Sequence, residues 1–287
     1  MKLSIAARRL LLGLVVVAMT ATPVLGAIVG YQARPLLDDS YVVLVMGSDM
    51  GPWRPQTVFD GRSDALHLIS VVPSQQTASI LSFPRDTSVP VPGLGTTRIN
   101  SALTRGPERA VETVEALTGI DIDDWIVTGL FPFVLAIDAY GGLDADVPQR
   151  LRVDANILEP GPQHLDGTGV LVYTRDRKSR SDGDFGRNRA QAEVLALLHA
   201  DIVARQPSAM QIADIFATLR RHTISSIPAG RLPTLAAVAL DVDPTKVYRQ
   251  QVPGSNAKRG GAAVVVLDDR AEALFADLRD DGIFTRE

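Results

Sequence analysis

Two Arg–Asp pairs, Arg62 with Asp64 and Arg85 with Asp86, stand at the two ends of one apolar stretch, RSDALHLISVVPSQQTASILSFPRD, over residues 62–86. Guanidinium forks match the paired oxygens of a phosphate, and carboxylates are the usual protein ligands of a hard divalent cation. The combination suits an anion held together with a metal ion. Left solvated, such pairs contribute only about 0–1 kcal/mol; buried and unpaired, each charge costs on the order of several kcal/mol. The chemistry therefore depends on whether the chain brings the pairs together and partly covers them.

Residues 64–72 and 77–83 are rich in Ile, Leu and Val and are separated by a short polar break at 73–76, the pattern of two antiparallel core strands. Pairing across that break would set Arg62, Ser63 and Asp64 beside Pro84, Arg85 and Asp86 on one rim. Upstream, YVVLVMG at 41–47 is a further apolar run of strand length, ending in Ser48 and Asp49 before a Gly/Pro-rich loop. Open α/β sheets place ligands at the carboxyl ends of their strands, although Asp49 taken alone reads more readily as a turn residue capping a loop. The loop leads directly to Arg62 and Asp64, so Asp49 and Asp64 can converge. Two carboxylates suffice for a Mg2+ (or Mn2+) that keeps several waters and takes its other oxygens from a phosphate.

Beyond this hairpin, residues 89–94 read as a Pro/Gly loop, and Arg98, Ile99 and Asn100 lead into a helix over 107–118 with Gly119 as its stop. A strand over 123–130, a helix over 133–140 closed by Gly141 and Gly142, and a strand over 143–147 follow. This alternation argues for a layered α/β domain around a central mixed sheet rather than a bundle or a sandwich. A second charged stretch, LDGTGVLVYTRDRKSRSDGDFGRNRAQ, covers 165–191. Asp166 can cap a short helix that delivers Arg175 and Arg177 at its end, and Asp184 can cap a second helix running to about Arg205, with Val194, Leu198 and Ile202 as its apolar stripe. Arg187 and Gln191, four apart, share a face near that helix's positive end. By chemistry alone, a solvated loop between helices fits this stretch too.

The order GSD, RSDA, SFPRD, RIN, DAYGG, LDG, YTRDR and D-x-G-R resembles the LytR-CpsA-Psr family of bacterial cell-envelope proteins over roughly residues 41–205. The resemblance implies an extracytoplasmic α/β/α domain on a single membrane anchor. Its implied activity is that of a phosphotransferase: a glycopolymer passes from a polyprenyl-pyrophosphate carrier to peptidoglycan through a phosphodiester. It implies Arg85, Arg175 and Arg177 as the pyrophosphate clamp and Asp49 and Asp64 as Mg2+ ligands, with Arg62, Asp86, Arg98 and Arg187 nearby. Asp64 or Asp86 is the candidate base for the attacking hydroxyl. Three positions depart from the family pattern: Ala190 precedes Gln191 where an arginine is usual, Arg98 stands for a common Lys, and Phe83 replaces an Ile.

Composition narrows the classes. At 287 residues, 46% hydrophobic and 22% charged, the chain suffices for one large domain or a domain with a small appendage. A net charge of -4 and the lack of a dense basic face give no general attraction to nucleic acid. Cysteine is absent, which excludes thiol nucleophiles and disulfides and suits an exported bacterial protein folded without oxidation. The four His are scattered, and no nucleotide loop, HExxH or GxSxG occurs.

At the N-terminus, Lys2, Arg8 and Arg9 precede an uncharged run of about 22 residues, Leu10 to Tyr31, long enough for one transmembrane helix with the basic flank in the cytoplasm. A cleavable signal is the rival, with Val24 and Gly26 before Ala27, but the run outlasts a signal core. The expected organisation is a cytoplasmic tip and membrane anchor at 1–31, a tether at 32–40, the site-bearing domain at 41–206, and an α/β extension of the same sheet at 207–287. Two other classes compete with the transferase. A non-catalytic polyprenyl-lipid or glycan carrier would keep the arginines without needing both Asp49 and Asp64. A membrane-linked regulator would need a cytoplasmic DNA-reading element, for which only about nine residues precede the apolar run.

Overall fold

The computed structural model describes residues 40–50, 59–206 and 208–284. The expected membrane span and tether lie outside them; among the described residues no helix is long and apolar enough to cross a membrane. The central sheet contains β1 (Tyr41–Ser48), β2 (Ser63–Val72), β3 (Thr77–Ser82), β6 (Asp124–Gly129), β11 (Thr223–Ser225) and β12 (Val247–Gln251), ordered β11-β6-β1-β2-β3-β12. It is mixed: β6 runs parallel to β1 and β12 parallel to β3, while β1–β2, β2–β3 and β6–β11 are antiparallel.

The β2–β3 hairpin forms as its sequence predicts. Val71 and Val72 pair with Ala78 and Thr77, and the polar break closes through a short 3-10 turn, Pro73–Gln75, with Gln76 in the left-handed region at φ 54°. Proline suits the first position of such a turn because its missing N–H would go unbonded there. Along β1 and β2 the residues alternate between faces. Leu44, Met46, Leu66 and Leu68, with Leu81 of β3 and Phe83 just after it, join a core shared with Ala110 and Val114 of α1 (Pro107–Thr118) and Ala271, Phe275 and Leu278 of α7 (Arg270–Asp281). α1 stops at Gly119, whose φ of 67° closes the last turn without a side-chain clash.

The opposite face carries His67 beside Ser82 and is crossed by α4 (Asp184–Arg205). A second core links α4 to α2 (Leu130–Tyr140), α3 (Gly167–Arg175), β7 (Leu143–Val147), β8 (Leu151–Val153), β9 (Asn156–Leu158) and β10 (Gly161–Leu165). Sheet and helices thus form an α/β/α stack. Asp166 caps α3 by accepting the N–H of Gly169 at 2.7 Å, as its position before a glycine-rich apolar run suggests.

Three expectations change. Residues 89–94 belong to a hairpin of β4 (Ser88–Val91) and β5 (Gly95–Arg98) rather than to a loop; alternate buried Val89 and Val91 drive it, while Gly93 and Gly95 at positive φ make its turn. The strand at 143–147 leaves the central sheet and pairs with β10 in a two-stranded ribbon. In the C-terminal part, β11 and β12 extend the central sheet at its two edges, but the strand at 262–267, β14 (Ala262–Leu267), pairs with β13 (Gly254–Arg259) as a separate hairpin. Apolar alternation marks a strand without naming its partner. α5 (Ala209–His222) and α6 (Leu232–Asp241) are the remaining α-helices among the described residues.

Candidate active site

The β1–β2 register runs evenly from Tyr41↔Val71 to Gly47↔Ala65 and then shifts, so that Ser48 faces Ser63 and Asp64 is the extra residue. A bulge of this kind turns a side chain away from the regular pleat. The Asp64 carboxylate meets Arg85 Nη1 at 2.5 Å, the junction expected at the open end of the hairpin. Gly47 leaves room beside it, since a β carbon there would come within 3.1 Å of Ala65 Cβ.

Arg85 follows β3 in a tight turn closed by Thr87, whose N–H and hydroxyl both donate to the Pro84 carbonyl. Its Nε lies 3.7 Å from Asp184 Oδ1. The first turn of α4 adds Arg187, 2.9 Å from Asp184 Oδ1 and 3.9 Å from Asp64 Oδ2, only 5% exposed. Two carboxylates and two guanidiniums therefore form one partly buried quartet. Burial disfavours the Arg85 charge, but Asp64, then Asp184 and Asp86, outweigh it and raise its pKa. Burial pushes the Arg187 guanidinium below its usual range, with Asp184 and Asp64 opposing and Arg85 and Arg177 adding repulsion. The arginines crowd one another, which makes the site attractive to an anion. Nε of Arg85 and Nε of Arg187 are buried without a hydrogen-bond acceptor, and an unsatisfied buried donor is what a ligand oxygen would complete.

Arg187 and Gln191 share a face, as their spacing requires: Arg187 Nη2 and Gln191 Nε2 both approach the Asp64 carbonyl at 3.4 Å. Gln191 Nε2 also lies 3.3 Å from the carbonyl of Thr174, the residue before Arg175. α3 ends at Arg175, and the chain is then held by Asp176, whose buried carboxylate accepts the N–H groups of Arg152, Lys178 and Ser179 at 2.6, 2.9 and 3.1 Å. Burial alone would raise the Asp176 pKa, but the Ser179 hydroxyl and these N–H groups lower it. Asp176 thereby fixes the turn carrying half-buried Arg175 and exposed Arg177.

Asp49 is exposed and bound to the other side of the bulge: its N–H donates to the Arg62 carbonyl at 3.0 Å, and its Oδ1 accepts the Arg62 N–H at 2.8 Å. The Arg62 side chain is exposed. Asp86 and Arg98 are committed elsewhere. They pair at 3.4 Å, Arg98 forks over the Ala263 carbonyl at 3.0 and 2.8 Å, and the Asp86 carbonyl accepts the Val265 N–H at 2.8 Å. Together they staple β14 to the turn that carries Arg85. Ala190 is buried in the second core, while Arg189 is exposed and bonded to Asp182 and Gln251. Among the described residues no three His, Asp or Glu side chains gather into a metal-binding group.

Two members of the cluster are not evident from sequence. Asp184 reads as a helix cap, yet it lies in the first turn of α4 after Gly183, and its carboxylate bridges the two arginines. His67 reads as one of four scattered histidines, yet it is 2% exposed beneath Gln191.

The family model described as the LytR_cpsA_psr family matches residues 28–280. The polyisoprenyl-teichoic acid–peptidoglycan teichoic acid transferase TagV of Bacillus subtilis is 38% identical over 166 residues, covering 54% of this chain and 41% of the relative. The transferase TagU of Oceanobacillus iheyensis is 35% identical over 184 residues, covering 61% of this chain and 57% of the relative. The chain thus spans about half the length of these relatives. The crystal structure of Bacillus subtilis TagV superposes with a TM-score of 0.74 at 27% identity, covering 87% of this chain and 100% of that one.

Proposed function

The chain belongs to the LytR-CpsA-Psr family, and from that premise we propose that it transfers a glycopolymer from a polyprenyl-pyrophosphate carrier to peptidoglycan. The observation that carries this reading is the Asp64–Arg85–Asp184–Arg187 quartet, with crowded arginines and unfilled guanidinium donors at the end of a strand pair. The names of the relatives supply the substrate class.

Phosphoryl transfer asks a protein chiefly for positioning and charge neutralisation. Arg85 and Arg187, with Arg175 and Arg177 at the rim, would hold the pyrophosphate, each charge-assisted hydrogen bond contributing about 1.5–3 kcal/mol. An acceptor hydroxyl then attacks the phosphorus bearing the glycan. The bond to the bridging oxygen breaks, polyprenyl monophosphate leaves, the hydroxyl proton passes to a carboxylate, and a phosphodiester remains.

A Mg2+ or Mn2+ ion fits the donor set. Asp64 is the bulged residue and Asp49 is bonded to Arg62 just before it, and two carboxylates suit a hydrated ion that takes phosphate oxygens but not a fully protein-ligated one. These two residues would hold it, and its charge would offset that of the pyrophosphate. With the ion on Asp64, Arg85 would exchange its carboxylate partner for a phosphate.

The test is the reaction itself. The purified chain, a polyprenyl-pyrophosphate-linked glycan and peptidoglycan should yield acid-labile, phosphodiester-linked glycan on the peptidoglycan, with one polyprenyl phosphate released per transfer. Binding of the lipid without transfer would point to a carrier instead. The same reading places residues 41–287 outside the cytoplasm on the anchor expected at 10–31. Protease added to intact spheroplasts should digest that part, and its protection would exclude an envelope role.

A further inference from the structure

His67 stands on the α4 face of the sheet, opposite Ser82 in register, with Nδ1 2.8 Å from Ser82 Oγ. Its Nε2 and Gln191 Oε1 are both buried without a hydrogen-bond partner, one a ring nitrogen able to donate and the other an amide oxygen able to accept, and Gln191 is a side chain that acts on the ring's protonation. The far end of the same Gln191 amide approaches the carbonyl of Asp64, the bulged residue, and that of Thr174, the residue before Arg175. A ring that only filled space would not need to place a nitrogen against each of these polar groups.

We infer that His67 is a positioning residue that sets Gln191 and, through it, joins the Asp64 bulge to the end of the helix presenting Arg175. The inference rests on the transferase reading of this site but concerns a side chain outside its phosphate contacts. One tautomer completes every bond: Nδ1 accepts the Ser82 hydroxyl proton, and Nε2–H donates to Gln191 Oε1. With Oε1 engaged, the Gln191 amide cannot flip, so its Nε2 stays aimed at the two carbonyls. The neutral ring this requires is favoured by burial, which with repulsion from Arg187 on α4 outweighs the opposing pull of Gln191 and holds the imidazole pKa down at about 4. The row Ser82–His67–Gln191 thus spans from the β2–β3 hairpin to α4 and fixes the spacing between the carboxylate and one arm of the clamp.

The test pairs His67→Gln, which keeps a donor near the place of Nε2, with His67→Phe and His67→Asn, which lose it. Whole-chain protein and geranylgeranyl pyrophosphate serve as the probe system. The Phe and Asn variants should bind about tenfold more weakly, whereas the Gln variant stays within about twofold of wild type. In the double variant His67→Phe with Gln191→Ala, binding should be no weaker than in Gln191→Ala alone, because both changes cut one row. A second readout needs no ligand: the 15N-labelled Gln191 side-chain amide signal should move in His67→Phe and hold its place in His67→Gln. Equal binding by wild type and His67→Phe, additive losses in the double variant, or an unmoved amide signal would each overturn the inference. Failure of wild type to bind the lipid, with the amide signal moving as described, would overturn the transferase reading and leave the positioning role standing.

Discussion

Replacing Asp64 by Asn should lower kcat/KM for glycan transfer by about a thousandfold, roughly 4 kcal/mol of lost transition-state stabilisation, while the melting temperature falls by only a few degrees. The asymmetry follows from the surroundings of Asp64. Asn keeps the volume, the bulge and the backbone carbonyl that Arg187 and Gln191 approach. Arg85 loses one carboxylate but still has Asp184 at 3.7 Å, so it is not left as an isolated buried charge. The structural cost is then about 1–2 kcal/mol, a shift of roughly 3–6 °C for a domain of this size. Function loses more, because the negative charge would both hold the divalent ion and release Arg85 toward the phosphate. Asp49→Asn should show the same weakened response to Mg2+. It perturbs the fold less, since Asp49 is exposed and an amide oxygen can still accept the Arg62 N–H. Wild-type turnover in Asp64→Asn would favour the carrier reading or a different metal ligand. A large fall in melting temperature would mean the quartet serves stability first.

The parts legible in the sequence were those set by short-range pattern. The hairpin over 62–86 could be read because its apolar runs, polar break and flanking charges are contiguous, and pairing them fixes the Asp64–Arg85 contact at 2.5 Å. The Arg187–Gln191 face could be read because helical spacing alone puts two residues four apart on one side. Partner choice was not legible. Nothing local in residues 143–147 or 262–267 says that they pair with β10 and β13 rather than with the central sheet, since β-pairing is decided by the rest of the fold. Arg98 shows the same limit in the site: its sequence neighbours suggest a phosphate contact, but β14, 165 residues away, supplies the carbonyl that takes its Nε and Nη2 donors. Asp184 and His67 were hidden for a related reason. Each has an adequate local role, as helix cap or core ring, and the crossing of α4 over the sheet is what brings Asp184 to Arg85 and sets His67 beneath Gln191.

The departure at Ala190 leads to the sharpest separation between neighbouring residues. If the pyrophosphate clamp must replace a missing arginine, Arg189 is adjacent in sequence, but it lies about 100° around the helix from position 190, and its guanidinium is exposed and engaged by Asp182 and Gln251. Arg187 instead sits within the quartet, 5% exposed, with Nε lacking an acceptor. Arg187→Ala should therefore raise the dissociation constant for a polyprenyl pyrophosphate at least about tenfold, a loss of 1.4 kcal/mol or more, while Arg189→Ala changes it by less than about twofold. Removing Arg187 also leaves Asp184 facing only Arg85, so that variant should melt lower, and binding must be measured well below its transition. Arg187→Lys separates the two effects. It restores a positive charge beside Asp184 and should recover most of the stability, but a single ammonium cannot reproduce the fork that reaches both Asp184 and a phosphate, so much of the binding loss should persist. If Lys restored affinity fully, the helix would be contributing charge alone. If Arg189→Ala proved the more damaging change, the clamp would have to draw in the exposed arginine by breaking its bonds to Asp182 and Gln251, and the quartet would be a structural pairing rather than the seat of the phosphate.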